Sequence, residues 1–148
     1  MTRYLIGPVL IAALITGETR PVIVGSKPFG ESYILAEMFA QLLEARGFQV
    51  ERRPGLGQTL IAYPALVKGA IDVYPEYTGT GLLAILRDSN ASGDPRAVYT
   101  RVATALGRRD GVRWLPPLGF ENTYAIAVRK ATADSLHLAT LSDLARVG

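Results

Sequence analysis

Lys27, Tyr74, Glu76 and Tyr77 are the residues whose types and spacing could do chemistry in this 148-residue chain. Three of them share one stretch, Ile71-Asp72-Val73-Tyr74-Pro75-Glu76-Tyr77-Thr78-Gly79-Thr80-Gly81. Its β-rich start stops at Pro75, which cannot donate to a strand ladder. The apolar run Leu82 to Leu86 then reads as a helix. Where a loop opens a helix, free backbone N–H groups face outward and favour anionic groups. Glycines at 79 and 81 allow close backbone approach, and Tyr74 and Tyr77 offer π faces that attract cations. Such a junction suits a ligand carrying both a cation and a carboxylate. The same tyrosines equally suit half-buried packing in an ordinary strand-to-helix loop.

Lys27 follows Gly25-Ser26 in an earlier loop. It could meet a ligand carboxylate there or be a solvated loop lysine, and residue type alone favours the solvated reading. Glu76 is placed to pair with a basic residue, and a Lys/Glu pair could serve as acid and base. No nucleophile constellation or metal-ligand cluster accompanies it. Gly25-Ser26-Lys27 lacks the preceding glycine of a phosphate-cradling loop. His137, the single histidine, sits near a polar bend and reads as a surface residue. The expectation is a binding protein with no catalytic residue, no metal and no cofactor.

The elements that must position these residues alternate between strand and helix. Pro21 to Gly25 reads as a first strand. Glu31 to Arg46 reads as a helix, with apolar residues at 34, 35, 38, 39, 42 and 43, acid in its first turn, base in its last and Gly47 beyond. Phe48 to Arg52 reads as a second strand. Gly55 to Thr59 is a Gly-rich loop whose Thr59 could cap a helix over 60–68, which Pro64 makes short or kinked. Ile71 to Tyr74 is a third strand. A helix over 96–109 buries Val98, Val102, Ala105 and Leu106. Strands are expected at 111–115 and, by alternation, at 122–129, and Thr140 to Ala145 reads as a capped helix. Strand-helix repeats with short connections argue for an α/β fold with a mainly parallel sheet and flanking helices. Ligands in such sheets sit beyond the carboxyl ends of the strands, so the loops at 25–30, 55–59 and 75–81 should converge on one site.

Composition sets the outer bounds. The net charge is +3, with 16 Lys+Arg interleaved among 13 Asp+Glu, and no basic block indicates nucleic acid. Cysteine is absent, which excludes disulfides, thiolate zinc sites and a thiol nucleophile, and with no cysteine after the apolar start a lipid anchor is not expected. Met1-Thr2-Arg3 followed by an almost wholly apolar run over 4–17 resembles a secretory signal and is short for a membrane-spanning helix. The expected location is periplasmic or extracytoplasmic, with residues 1–17 as signal peptide.

An ordered set of motifs then resembles a known family. Val24-Gly25-Ser26-Lys27-Pro28-Phe29, Tyr33-Ile34-Leu35-Ala36-Glu37-Met38, Gly55-Leu56-Gly57-Gln58-Thr59 and Asp72 to Thr80 occur in order. Gly119 to Arg129 and Ser142-Asp143-Leu144-Ala145 complete the set. Together they resemble the extracytoplasmic substrate-binding proteins of glycine betaine/choline-type ABC importers, which take up osmoprotectants. The resemblance implies a two-lobed periplasmic-binding-protein fold of type II that closes on a small quaternary ammonium ligand and docks on an ABC permease. A trimethylammonium group cannot donate hydrogen bonds, so tyrosine faces are its natural host. By motif, Lys27 and Thr80 resemble the carboxylate ligands, Tyr77 and Tyr124 two walls of the aromatic cage, and Asn122 the position whose backbone carbonyl faces the cation. Family members are longer than this chain. The implied layout is therefore a first lobe over 18–121, then a hinge strand and the start of a second lobe over 122–148. The alternative is a related α/β sensor or interaction module, or a gene fragment that binds nothing.

Overall fold

The computed structural model describes residues 20–89, 93–123 and 125–147. They form two compact units that divide between Leu115 and Pro116. The apolar run over 4–17 and Tyr124 lie outside the described residues.

The first unit is built on a parallel pair. β1 (Val22–Gly25) runs beside β2 (Val50–Arg53), with Val22 opposite Val50 and Gly25 opposite Arg53. The expected second strand starts later than Phe48, because the Phe48 N–H still donates to Leu43 O of the preceding helix at 3.1 Å. The expected third strand reaches β1 through a single bridge, Val24 opposite Val73. Gly25 N–H donates to Val73 O and Asp72 N–H to Ile23 O, both at 2.8 Å. The ladder goes no further because the Asp72 carboxylate takes the Ile23 N–H at 2.8 Å in place of a backbone carbonyl. Arg20 holds that carboxylate at 2.9 and 2.6 Å.

Between the paired strands runs α1 (Gly30–Glu44), as a parallel connection requires. It meets the sheet through small side chains: Ser32, Ala36 and Ala40 are buried. Phe39 and Leu43 flank them against Val22, Val24, Val50 and Val73. At about 100° per residue, positions 34 and 38 lie opposite position 36. Ile34, Met38 and Leu42 are accordingly 63%, 53% and 62% exposed. The apolar stripe legible in the sequence is thus split, and the small residues choose the buried face.

α2 (Thr59–Val67) is short and carries Pro64 inside it. Gln58 rather than Thr59 is its N-cap residue, and no side chain caps it. A single turn, α3 (Thr78–Thr80), passes directly into a π-helical segment, Gly81–Ile85. α4 (Pro95–Asp110) starts with the Asp94 side chain accepting from the Arg96 N–H at 3.0 Å and Pro95 in the first turn. It ends at Gly111, whose φ of 70° is the left-handed conformation that glycine adopts freely. Val98, Val102 and Leu106 of α4 form a core with Tyr63 and Leu82, flanked by Ile85, Leu86, Val112 and Trp114. The expected strand at 111–115 does not form. Val112 and Trp114 pack against the α4 core instead, and the Tyr99 hydroxyl donates to Trp114 O at 3.3 Å.

In the second unit, α5 (Lys130–Leu136) was not legible as a helix, and His137 ends it in the left-handed region at φ 53°. α6 (Leu141–Leu144) carries the expected cap. Thr140 Oγ1 accepts from the Asp143 N–H at 3.3 Å, and the Asp143 carboxylate accepts from the Thr140 N–H at 2.7 Å. The strand expected at 122–129 is absent among the described residues. Alternation alone does not make a strand, because a strand's backbone groups need those of a neighbouring strand to pair with.

Candidate functional site

A carboxylate lies at the centre of the site. Glu76 Oε1 accepts from Lys27 Nζ at 2.5 Å and from the Tyr77 N–H at 2.9 Å. Glu76 Oε2 accepts from the Thr59 hydroxyl and the Tyr74 hydroxyl, each at 3.1 Å. Lys27 Nζ also donates to Thr59 Oγ1 at 3.3 Å and lies 5.5 Å from the centre of the Phe29 ring. The Lys27 and Glu76 side chains are only 5% and 4% exposed. Burial, then the charge of Glu76, pushes the Tyr74 phenol well above its ordinary range, so it stays a donor at physiological pH.

Each partner is delivered by a strand end. Lys27 follows β1, Thr59 opens α2 after β2, and Glu76 follows the Val73 bridge. The three loops expected to converge do so. Two serines fasten the first of them. Ser32 Oγ, in the first turn of α1, accepts from the Lys27 N–H at 2.9 Å. Ser26 Oγ accepts from the Gly55 N–H at 2.9 Å, and Ser26 O accepts from the Leu56 N–H at 3.0 Å. Gly25 lets this loop lie close to its neighbours: a Cβ there would lie 2.9 Å from the side-chain ends of both Ile71 and Leu56, which would have to shift. Pro75 is buried, and a proline there biases the preceding Tyr74 towards extended backbone on the way from the bridge to Glu76.

The solvated reading of Lys27 is overturned, since it is a buried, paired lysine. Thr59 does not cap α2; its hydroxyl joins Lys27 to Glu76. Tyr74 is a buried packing residue with its hydroxyl committed to Glu76, so it presents no open π face. Gly81 faces the core, not a ligand: a Cβ there would meet Trp114 and Val102 at 2.8 Å. Tyr77 and Thr80 are half-buried, at the entry to α3 and at its end. Asn122 is exposed and belongs to the second unit, and Tyr124 lies outside the described residues. Sequence reasoning missed Ser26, Ser32 and the role of Thr59. Their signal is slight: small hydroxyl residues at the ends of loops that a parallel sheet brings together.

The arrangement is a desolvated, charge-neutral knot, and the chain runs directly from it into Tyr77 and Thr80, both half-buried. A profile of the family described as "Substrate binding domain of ABC-type glycine betaine transport system" matches residues 20–148. The glycine-betaine-binding protein of Pseudomonas aeruginosa is 40% identical over 124 residues, which cover 84% of this chain and 39% of that protein. Glycine betaine-binding protein YehZ of Escherichia coli is 34% identical over 127 residues, covering 85% and 42%. The ergothioneine transport permease/ergothioneine binding protein EgtU of Helicobacter pylori is 34% identical over 129 residues, covering 86% and 23%. Among solved structures, apo YehZ of Escherichia coli superposes with a TM-score of 0.69 over 86% of this chain and 46% of its own, at 34% identity. The chain spans less than half the length of these relatives. The fold they share is the α/β periplasmic-binding-protein type, of which this chain holds a part. The chain belongs to the family of substrate-binding domains of ABC-type glycine betaine transport systems.

Proposed function

We propose that this chain supplies the first ligand-binding lobe of an extracytoplasmic solute-binding protein that delivers a small quaternary ammonium zwitterion, such as glycine betaine, to an ABC permease. The observation that carries the reading is the convergence of three strand-end loops on Lys27, Thr59 and Glu76, with the Tyr77 N–H bound to the same carboxylate. The Tyr77 ring is one wall for the ammonium, which has no N–H to donate and is held by a π face. Lys27 and Thr80 take the carboxylate. Tyr124, as a second aromatic wall, and Asn122, through its backbone carbonyl, join the set on the motif they share with the family. An extracytoplasmic location and an apolar leader over 4–17 belong to the same reading.

The test is an NMR shift titration of the chain with glycine betaine, a method that reads dissociation constants up to the millimolar range. Shifts should concentrate at residues 26–29, 57–60 and 76–80. Tyr77→Ala should weaken binding by about 1–2 kcal/mol, the scale of a desolvated cation–π contact. Saturable binding that leaves those loops unmoved, or that Tyr77→Ala does not weaken, would refute the assignment.

A further inference from the structure

Building on the ligand class proposed above, we infer that Glu76 is a charge-balancing positioning residue that sets the preference of the site between zwitterionic and purely cationic quaternary amines. A carboxylate offers about four lone-pair positions. Those of Glu76 are filled by Lys27 Nζ, the Tyr77 N–H, the Thr59 hydroxyl and the Tyr74 hydroxyl. Glu76 therefore has no acceptor left for a ligand, and with its side chain 4% exposed it acts on one only through its partners and its field.

Both routes lead to the proposed site. Through partners, Glu76 fixes the backbone of Tyr77 and the head of Lys27, the residues assigned above to the ligand's ammonium and its carboxylate. Lys27 spends two of its three N–H groups on Glu76 and Thr59, so one remains for a ligand carboxylate. Through its field, Glu76 cancels the Lys27 charge at 2.5 Å. A ligand carboxylate then meets a hydrogen-bond donor from a neutral pair instead of a free cation. A ligand ammonium is spared the repulsion that an unpaired lysine would exert. In a buried setting such fields are weakly screened. A site balanced in this way tolerates a ligand with no carboxylate at all, and removing Glu76 should sharpen it for zwitterions.

The experiment compares glycine betaine with choline, which has no carboxylate, in wild type, Glu76→Gln, Lys27→Met and the double variant. Folding of each is checked by circular dichroism and thermal unfolding. Removing the Glu76 charge should raise the ratio of glycine betaine to choline affinity roughly tenfold, the size of one unit charge acting across the site at an effective dielectric near 20. The same rise should appear on going from Lys27→Met to the double variant, so the claim stays testable if Glu76→Gln alone does not fold. A purely structural carboxylate would lower the melting temperature and leave the ratio unmoved, which would overturn the inference while leaving the ligand class standing. Failure of folded wild type to bind either ligand would overturn the ligand class, and this inference with it.

Discussion

Desolvating an ammonium costs several kcal/mol unless a well-placed counter-charge and further hydrogen bonds make up for it. Lys27 has both, in Glu76 and Thr59. Taking the lysine away therefore does more than weaken a ligand contact. Lys27→Met leaves a buried carboxylate without its cation, which should cost about 3–5 kcal/mol of folding stability. Glu76→Gln in the same background removes the stranded charge and should recover most of that loss. Urea unfolding of the three proteins checks this, and equal stabilities for the single and double variants would contradict it. The positions of Lys27 and Glu76 in strand-end loops were legible from the sequence, and so was the possibility that they pair. Their depth was not. Burial of Lys27 depends on Ser26 and Ser32 pinning its loop to Gly55, Leu56 and α1, contacts between segments that no local pattern announces. Tyr74 shows the same limit: its hydroxyl sits two residues from the acceptor it serves, yet only the fold turns it inward.

Elements were legible where a start and a stop flank a periodic run. α4 has Asp94, Pro95 and Gly111 at its ends and buries Val98, Val102 and Leu106, as its spacing requires. They were misread where a neighbour decides. In α1 the large apolar residues are outvoted by Ala36 and Ala40, which let the helix lie close to the sheet. At 111–115 the alternating pattern serves packing against α4 rather than a ladder. The segment after Thr80 is a further case. The Leu86 N–H reaches back five residues to Gly81 O at 3.0 Å, the spacing of a π-helix, which occurs mostly as short insertions near functional sites. Its first residue, Gly81, is pressed against the Trp114 ring and Val102. Gly81→Ala should therefore overpack this contact and cost about 1–3 kcal/mol, with a change in Trp114 fluorescence in the folded state. An unchanged emission spectrum together with unchanged stability would show that the ring moves aside without penalty.

For the molecule as a whole, stability should be as uneven as burial is. Every buried residue of the described chain lies before Pro116, and backbone opening is cheapest where few apolar contacts hold it closed. In the second unit, Leu136, Leu141, Leu144 and Val147 are 42–70% exposed, and α6 is held by its capping box. Hydrogen exchange should therefore find the slowest amides in β1, in α1 around Ala36 and Ala40, and in α4 around Val102. Exchange over 116–147 should be faster throughout. Acid should widen the gap. The amides of Ala139 and Thr140, then the Thr140 hydroxyl, hold the Asp143 carboxyl below the usual carboxylate range. A carboxyl whose pKa is lowered by folding stabilises the fold above its unfolded pKa, and that contribution fades as pH falls through the folded value. Amides of α6 should thus lose protection on acidification, after correction for the intrinsic pH dependence of exchange, while those of α1 near Ala40 hold theirs until the first unit opens. Protection spread evenly from 22 to 147, or α6 amides insensitive to pH, would mean that the second unit is held by contacts other than its capping box.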